Sequence, residues 1–230
     1  MVPAPSLLAF ALTSLALIVI PGPSVLFVIG RSIALGRLGG LLSVLGNALG
    51  MLPLIVAVAV GVGAVVAQSL VLFSIIKFAG AAYLVYLGIQ AIRHRRHTAV
   101  TLRAGAEGIA PQSGDASAEA AALPRRKSSV RILAEGFFVG LTNPKTLVFF
   151  VAVLPQFVDY SAGFIPLQMF ELGLVFFVLA LLSDSTWALI AGTARHWFAR
   201  SPRRVEHLGT AGGVMMIGLG GVLALTGNKH

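Results

Sequence analysis

Apolar residues in this sequence come in blocks of twenty or more, and charged residues are confined largely to the stretches between them. A helix needs about 20 such residues to cross the roughly 30 Å hydrocarbon core of a bilayer. Residues 38–76 hold no charged side chain at all. As one helix they would run about 58 Å, so they predict two spans, or parts of two, with a turn between. The whole pattern predicts six spans, at approximately 6–29, 38–62, 69–92, 132–154, 165–192 and 207–227. Turn residues mark the joints: Arg31 to Arg37, Gly61 through Ser69, and Asp159 to Gly163.

Between the third and fourth spans, residues 97–124 have low complexity and no sustained apolar face, which predicts a flexible linker. The chain divides into a first three-helix repeat (1–96), a linker (97–130) and a second three-helix repeat (131–230). Three crossings in the first half make the second half start from the opposite side of the membrane. If the halves share a fold, they are inverted repeats. The expected fold is therefore an all-α integral membrane protein of six transmembrane helices in two inverted halves.

Two apolar blocks contain their own interruptions. Pro21-Gly22-Pro23 breaks the first and Asn143-Pro144-Lys145 the fourth. Proline removes a backbone donor and clashes with the preceding turn, at a cost of about 3 kcal/mol in a helix interior. Setting Pro144 on Pro23 aligns "PGPSVLFVI" with "TNPKTLVFF", with apolar runs on both sides. Matching breaks in corresponding spans of inverted halves point to a transport site near the midplane. A broken helix frees backbone groups that can hold a charged ligand, provided protein or a water-filled cavity covers them. An ordinary proline kink is the simpler alternative.

Composition agrees with a membrane protein: 57% of residues are hydrophobic and only 11% charged, with a mean hydropathy of +0.92. The formal charge of +9 sits between apolar blocks rather than on a soluble face, which favours anionic lipid headgroups over nucleic acid as partner. Lys and Arg crowd the first, third and fifth connections and are missing from the second and fourth. By the positive-inside rule the basic connections are cytoplasmic, and both termini lie outside. The first thirty residues lack a basic n-region, so no cleaved signal peptide is expected. Zero cysteines exclude thiolate chemistry and disulfides.

Ionisable residues inside spans cost about 2.5–3.5 kcal/mol each on insertion scales and need a reason. Asp184, in "LLSDSTWALI", is the candidate proton or substrate-ammonium site, with Ser183, Ser185 and Thr186 around it. Lys145 lies on the second break, and Lys77 in the outer half of the third span. Either could be the charge partner of Asp184 or meet a substrate carboxylate, and Lys77 could instead snorkel outward. Glu135 and Glu171 are placed at span ends. Asn47, flanked by glycines in "LGNALG", suits a cavity wall or an interhelical hydrogen bond. The glycines of the last span, at 209, 212, 213, 218, 220 and 221, are read as packing residues.

"PGPSVLFVIGRSIALGRLGGLLSVLGNALG", "IKFAGAAYLVYLGIQAIR", "GFFVGLTNPKTLVFFVAVLPQFV" and "GGVMMIGLGGVLAL" resemble the lysine exporter/homoserine–threonine exporter (LysE/RhtB) family in all six spans, in order. Ser24 stands where many members have Asn, and the linker is longer and richer in alanine. The resemblance implies an inner-membrane exporter of amino acids or related small metabolites, driven by the proton motive force, without a cofactor and in keeping with a homodimer. It also implies that Pro21, Gly22, Pro23, Asn143, Pro144 and Lys145 belong to the transport site, and Ser24, next to the first break, is counted with them as a candidate substrate-binding residue.

Other classes fit less well. There is no His-Glu-x-x-His helix, and all five histidines lie at or beyond predicted span ends, which leaves an enzyme without an intramembrane base. No selectivity-filter sequence or acidic ring marks a channel. A divalent metal exporter of the same superfamily is the runner-up. It would need oxygen ligands converging in the membrane, and only Asp184, Asn47 and Glu135 offer themselves.

Overall fold

The structure is a computed structural model that describes residues 2–19, 22–68, 70–106, 128–194 and 202–225, and among these every regular element is helical. The helices are α1 (Ala4–Val19), α2 (Pro23–Gln68), α3 (Leu70–Ala106), α4 (Ser129–Leu141), α5 (Pro144–Val148), α6 (Ile165–Thr193) and α7 (Pro202–Leu225). A π-helical turn at Phe149–Val153 and a 3-10 turn at Leu154–Phe157 continue α5. Among the described residues four stretches are long and apolar enough to cross a membrane: Pro23–Gly61, Ser74–Arg93, Ser129–Phe157 and Ile165–Thr193. Ala4–Val19 and Thr210–Leu225 are shorter apolar helices.

The first expected joint, Arg31 to Arg37, does contain a turn, but it lies at Gly36, and helix runs on through Arg31 to reach it. Within α2 the backbone leaves helical geometry at Gly36, with φ 77° and ψ −176°. A continuous helix would separate Ser32 from Gly40 by about 12 Å. Instead a Cβ added at Gly40 would lie 2.9 Å from the Ser32 Cβ, and Val28 clusters with Val44. The chain therefore doubles back at Gly36, giving α2 two antiparallel arms, 23–35 and 37–68. That φ/ψ region is open to glycine almost alone. Nothing lies within 4 Å of an added Cβ, so a side chain here would suffer backbone strain and no clash. Gly36→Ala is expected to destabilise the protein by about 1–3 kcal/mol. An unchanged melting curve in detergent would contradict that.

α1 and the first arm of α2 lie along α6, all running the same way. The Val2 N–H donates to Glu171, the Val19 carbonyl accepts from Trp187, and Val25, Ile29 and Ile33 pack with Ala191. The second arm runs antiparallel to α6, with Ile55 on Gly173 and Arg37 on Gly192. It runs parallel to α4 through an interface of four glycines, Gly46 and Gly50 facing Gly136 and Gly140. Without Cβ atoms the two backbones approach closely, as small-xxx-small pairs do in lipid. α3 and α7 form an antiparallel pair, Gly88 against Gly213 and Ala81 against Gly220. A Cβ added at Gly218 or Gly221 would meet nothing within 4 Å, so only part of the glycine run in α7 serves these contacts.

The remaining ends are capped locally. Ser128 Oγ accepts the Arg131 N–H to start α4. In the turn before α6, Gln168 spans the loop by donating to the Asp159 and Gly163 carbonyls and accepting from the Asp159 N–H. The Ser161 hydroxyl bonded to Asp159 holds that carboxyl below its ordinary range. The boundary expected after residue 96 falls inside α3. Residues 107–127 of the expected linker, and Pro21, lie outside the described residues.

Candidate functional site

The two chain breaks meet in the interior. In the second half α4 ends at Leu141, and α5 restarts at Pro144 behind Asn143, whose Oδ1 accepts the Lys145 N–H at 3.1 Å. Asparagine is a favoured N-cap, and proline in the first helical position loses no hydrogen bond. In the first half α1 ends at Val19 and α2 restarts at Pro23. The Gly22 carbonyl accepts the Leu26 N–H as the Asn143 carbonyl accepts that of Leu147. Pro23 and Pro144 thus begin helices rather than kink them.

Direct contacts join the breaks. Asn143 Nδ2 donates to Ser24 Oγ at 2.9 Å. Gly22 sits against the Lys145 side chain, where an added Cβ would lie 2.9 Å from Cδ and 3.2 Å from Nζ. Lys145 Nζ donates at 2.7 Å to the carbonyl of Leu17. That carbonyl is in the last turn of α1, where a C=O has no N–H donor inside its own helix. Cation and helix C-terminus are also matched in sign.

From the other side, the second arm of α2 and α6 contribute Asn47 and Asp184, with Asn47 Nδ2 donating to Asp184 Oδ2 at 3.1 Å. Among the described residues Asn47 Oδ1 has no hydrogen-bond partner. Asp184 is 4% exposed and Lys145 6%. These groups line a cavity of about 20 Å³, room for little more than one water molecule. Any metabolite would require the walls to separate.

Aromatic rings cover the side of the cavity toward the α1 N-terminus. Phe176, on its wall, packs at 5.2 Å from Phe149 and 4.9 Å from Phe150, and Phe10 lies 5.4 Å from Phe157. On the opposite side Arg31 of the first arm pairs with Glu135 of α4, and Arg131 bonds the same carboxylate at 3.2 Å.

Of the residues expected in a site, Ser24, Asn47, Asn143, Lys145 and Asp184 line the cavity together, and Gly22 supports Lys145. Pro23 is exposed and Pro144 half-buried, and neither lines it. The cation that shares the cavity of Asp184 is Lys145. Lys77 is buried elsewhere, its Nζ 5.7 Å from the centre of the Phe78 ring. Sequence reasoning missed Thr146, Met51, Phe176 and Ala180 on the cavity wall. Helical spacing could have found three of them. Met51 is one turn after Asn47, and Ala180 and Phe176 are one and two turns before Asp184.

The LysE type translocator family matches residues 15–227. The chain is 32% identical over 216 residues to a homoserine/homoserine lactone efflux protein of Salmonella typhi, covering 94% of each chain. It is 28% identical over 224 residues to a leucine efflux protein of Klebsiella pneumoniae, covering 94% of this chain and 93% of that one. An uncharacterized membrane protein of Vibrio cholerae is 33% identical over 218 residues, 94% of this chain and 95% of that one. No solved structure matches significantly.

Proposed function

The chain belongs to the LysE type translocators, and from that premise we propose that it is a secondary active exporter of amino acids or related small metabolites, driven by the proton motive force across the inner membrane. The observation that carries this reading is that two buried opposite charges, Lys145 and Asp184, line one small cavity between two broken segments. Buried ionisable groups in a membrane protein are expensive, and they mark substrate and proton pathways. Substrate binds between the breaks, held by Ser24, Asn47, Asn143 and Lys145, and Asp184 carries the coupling proton.

Alternating access follows from rocking the first three spans against the last three. α1 with the first arm of α2 makes the first crossing, and α4 with α5 and its π and 3-10 turns the fourth. The packing supports inverted halves. The third crossing pairs antiparallel with the sixth, and the second with the fifth, so exchanging the halves maps each pair onto itself. Both termini face outward, which places the Arg31–Glu135–Arg131 cluster at the cytoplasmic end and the phenylalanine cluster at the outer end.

Metal export loses ground on donor chemistry. Among the described residues no three His, Cys, Asp or Glu side chains come together, and Asp184 shares its cavity with a lysine. The experiment is efflux from proteoliposomes loaded with a mixed panel of amino acids and Mn²⁺, with and without an imposed pH gradient. Gradient-dependent loss of amino acids is expected. Loss of Mn²⁺ alone would overturn the reading.

A further inference from the structure

We propose that Lys145 sets the charge selectivity of this site, admitting net-neutral zwitterions and rejecting cationic amino acids. The inference rests on the exporter reading and deepens it. Among the described residues, the charged side chains lining the cavity are Lys145 and Asp184, one of each sign. An amino acid with an uncharged side chain adds one positive and one negative group, so the loaded site stays balanced. A cationic amino acid, or a divalent metal ion, leaves unpaired positive charge in a water-poor interior, where an unpaired charge is costly.

The placement of donors and acceptors also gives the zwitterion a direction. At one end Asp184 and the unpartnered Oδ1 of Asn47 are both acceptors, matched to an ammonium. At the other, Lys145 Nζ is a donor beside Asn143 and Ser24, matched to a carboxylate. Lys145 Nζ donates to the Leu17 carbonyl, and moves from that carbonyl to the carboxylate as substrate enters. Apart from the neutral hydroxyl of Thr146, the rest of the described lining is apolar, Met51, Phe176 and Ala180 among it, and offers no counter-charge to a cationic side chain.

The test is efflux of L-homoserine, L-leucine and L-lysine from proteoliposomes containing the wild-type protein or Lys145→Met, a replacement of similar length that keeps the packing against Gly22. Wild type is expected to release homoserine or leucine at least about tenfold faster than lysine, a discrimination of ~1.4 kcal/mol. In Lys145→Met the cavity keeps the negative charge of Asp184 alone. The ratio of lysine to neutral efflux is then expected to rise at least about tenfold. Wild-type lysine efflux equal to that of the neutral amino acids would overturn the proposal and leave the exporter reading intact. So would an unchanged ratio in the variant, with Lys145→Gln substituted if the Met variant does not insert. Release of no amino acid by wild type would instead overturn the exporter reading itself.

Discussion

Asp184→Asn is expected to abolish pH-gradient-driven export while the protein still inserts in the membrane. Asparagine keeps the shape of the side chain and can still bond Asn47, whose Nδ2 lies 3.1 Å from Asp184 Oδ2. It cannot take up or release a proton, and it removes the counter-charge of Lys145 in the same cavity. Removing one partner of a buried pair costs about 3–5 kcal/mol, equivalent to more than about a hundredfold in an equilibrium. Lower stability is therefore expected beside the lost transport, and the two are separable. The double variant Asp184→Asn/Lys145→Met restores electrical balance, and with it the melting temperature in detergent. It should still show no gradient-driven efflux, since nothing in the cavity can then carry the proton. Gradient-driven efflux near the wild-type rate in Asp184→Asn would remove Asp184 from the coupling role.

Gly140→Ala, a single methyl, is expected to lower both stability and transport. The added Cβ would lie 2.8 Å from the Asn47 carbonyl carbon and 3.0 Å from its Cα. These are backbone atoms, which no rotamer change can move aside. α2 and α4 must therefore part, at a cost of about 1–3 kcal/mol for an overpacked contact. Asn47 shifts with its backbone, loosening its bond to Asp184, so transport should fall more than the melting temperature alone would imply. Gly218→Ala is the matched control. Its Cβ meets nothing within 4 Å, and alanine favours a helix over glycine by up to about 1 kcal/mol. Equal behaviour of the two variants in melting and efflux assays would show that the glycine interface does not position the site.

Much of the site was legible because its residues break local rules. Asp184 and Lys145 are charged within apolar runs, Asn143-Pro144 and Gly22-Pro23 interrupt them, and Asn47 is polar between glycines. All of these residues except Pro23 and Pro144 either line the cavity or support a side chain that does. The role of the prolines was harder to read. Proline in an apolar block looks like a kink, yet here both stand at the first position of a helix, where the fixed φ is an advantage. The first turn was legible as a joint between Arg31 and Arg37, and the backbone reversal narrows it to Gly36, a single glycine that ends one arm and opens the next.

The choice between the two lysines marks the division between what the chain states and what folding adds. Length and spacing of apolar blocks determine how many times the chain can cross and where it turns, because bilayer thickness sets that scale. They also place Lys77 and Lys145 within spans. They do not say which lysine meets Asp184, and the reason is physical. In a soluble helix the buried face is apolar and the other polar, so periodicity reveals which way a residue points. In a membrane the face toward lipid and the face toward other helices are both apolar, and that signal vanishes. Which side looks inward is then decided by packing. Gly46 and Gly50 seat on Gly136 and Gly140, Gly22 makes room for Lys145, and together they bring Lys145 and Asp184 to one cavity and leave Lys77 outside it.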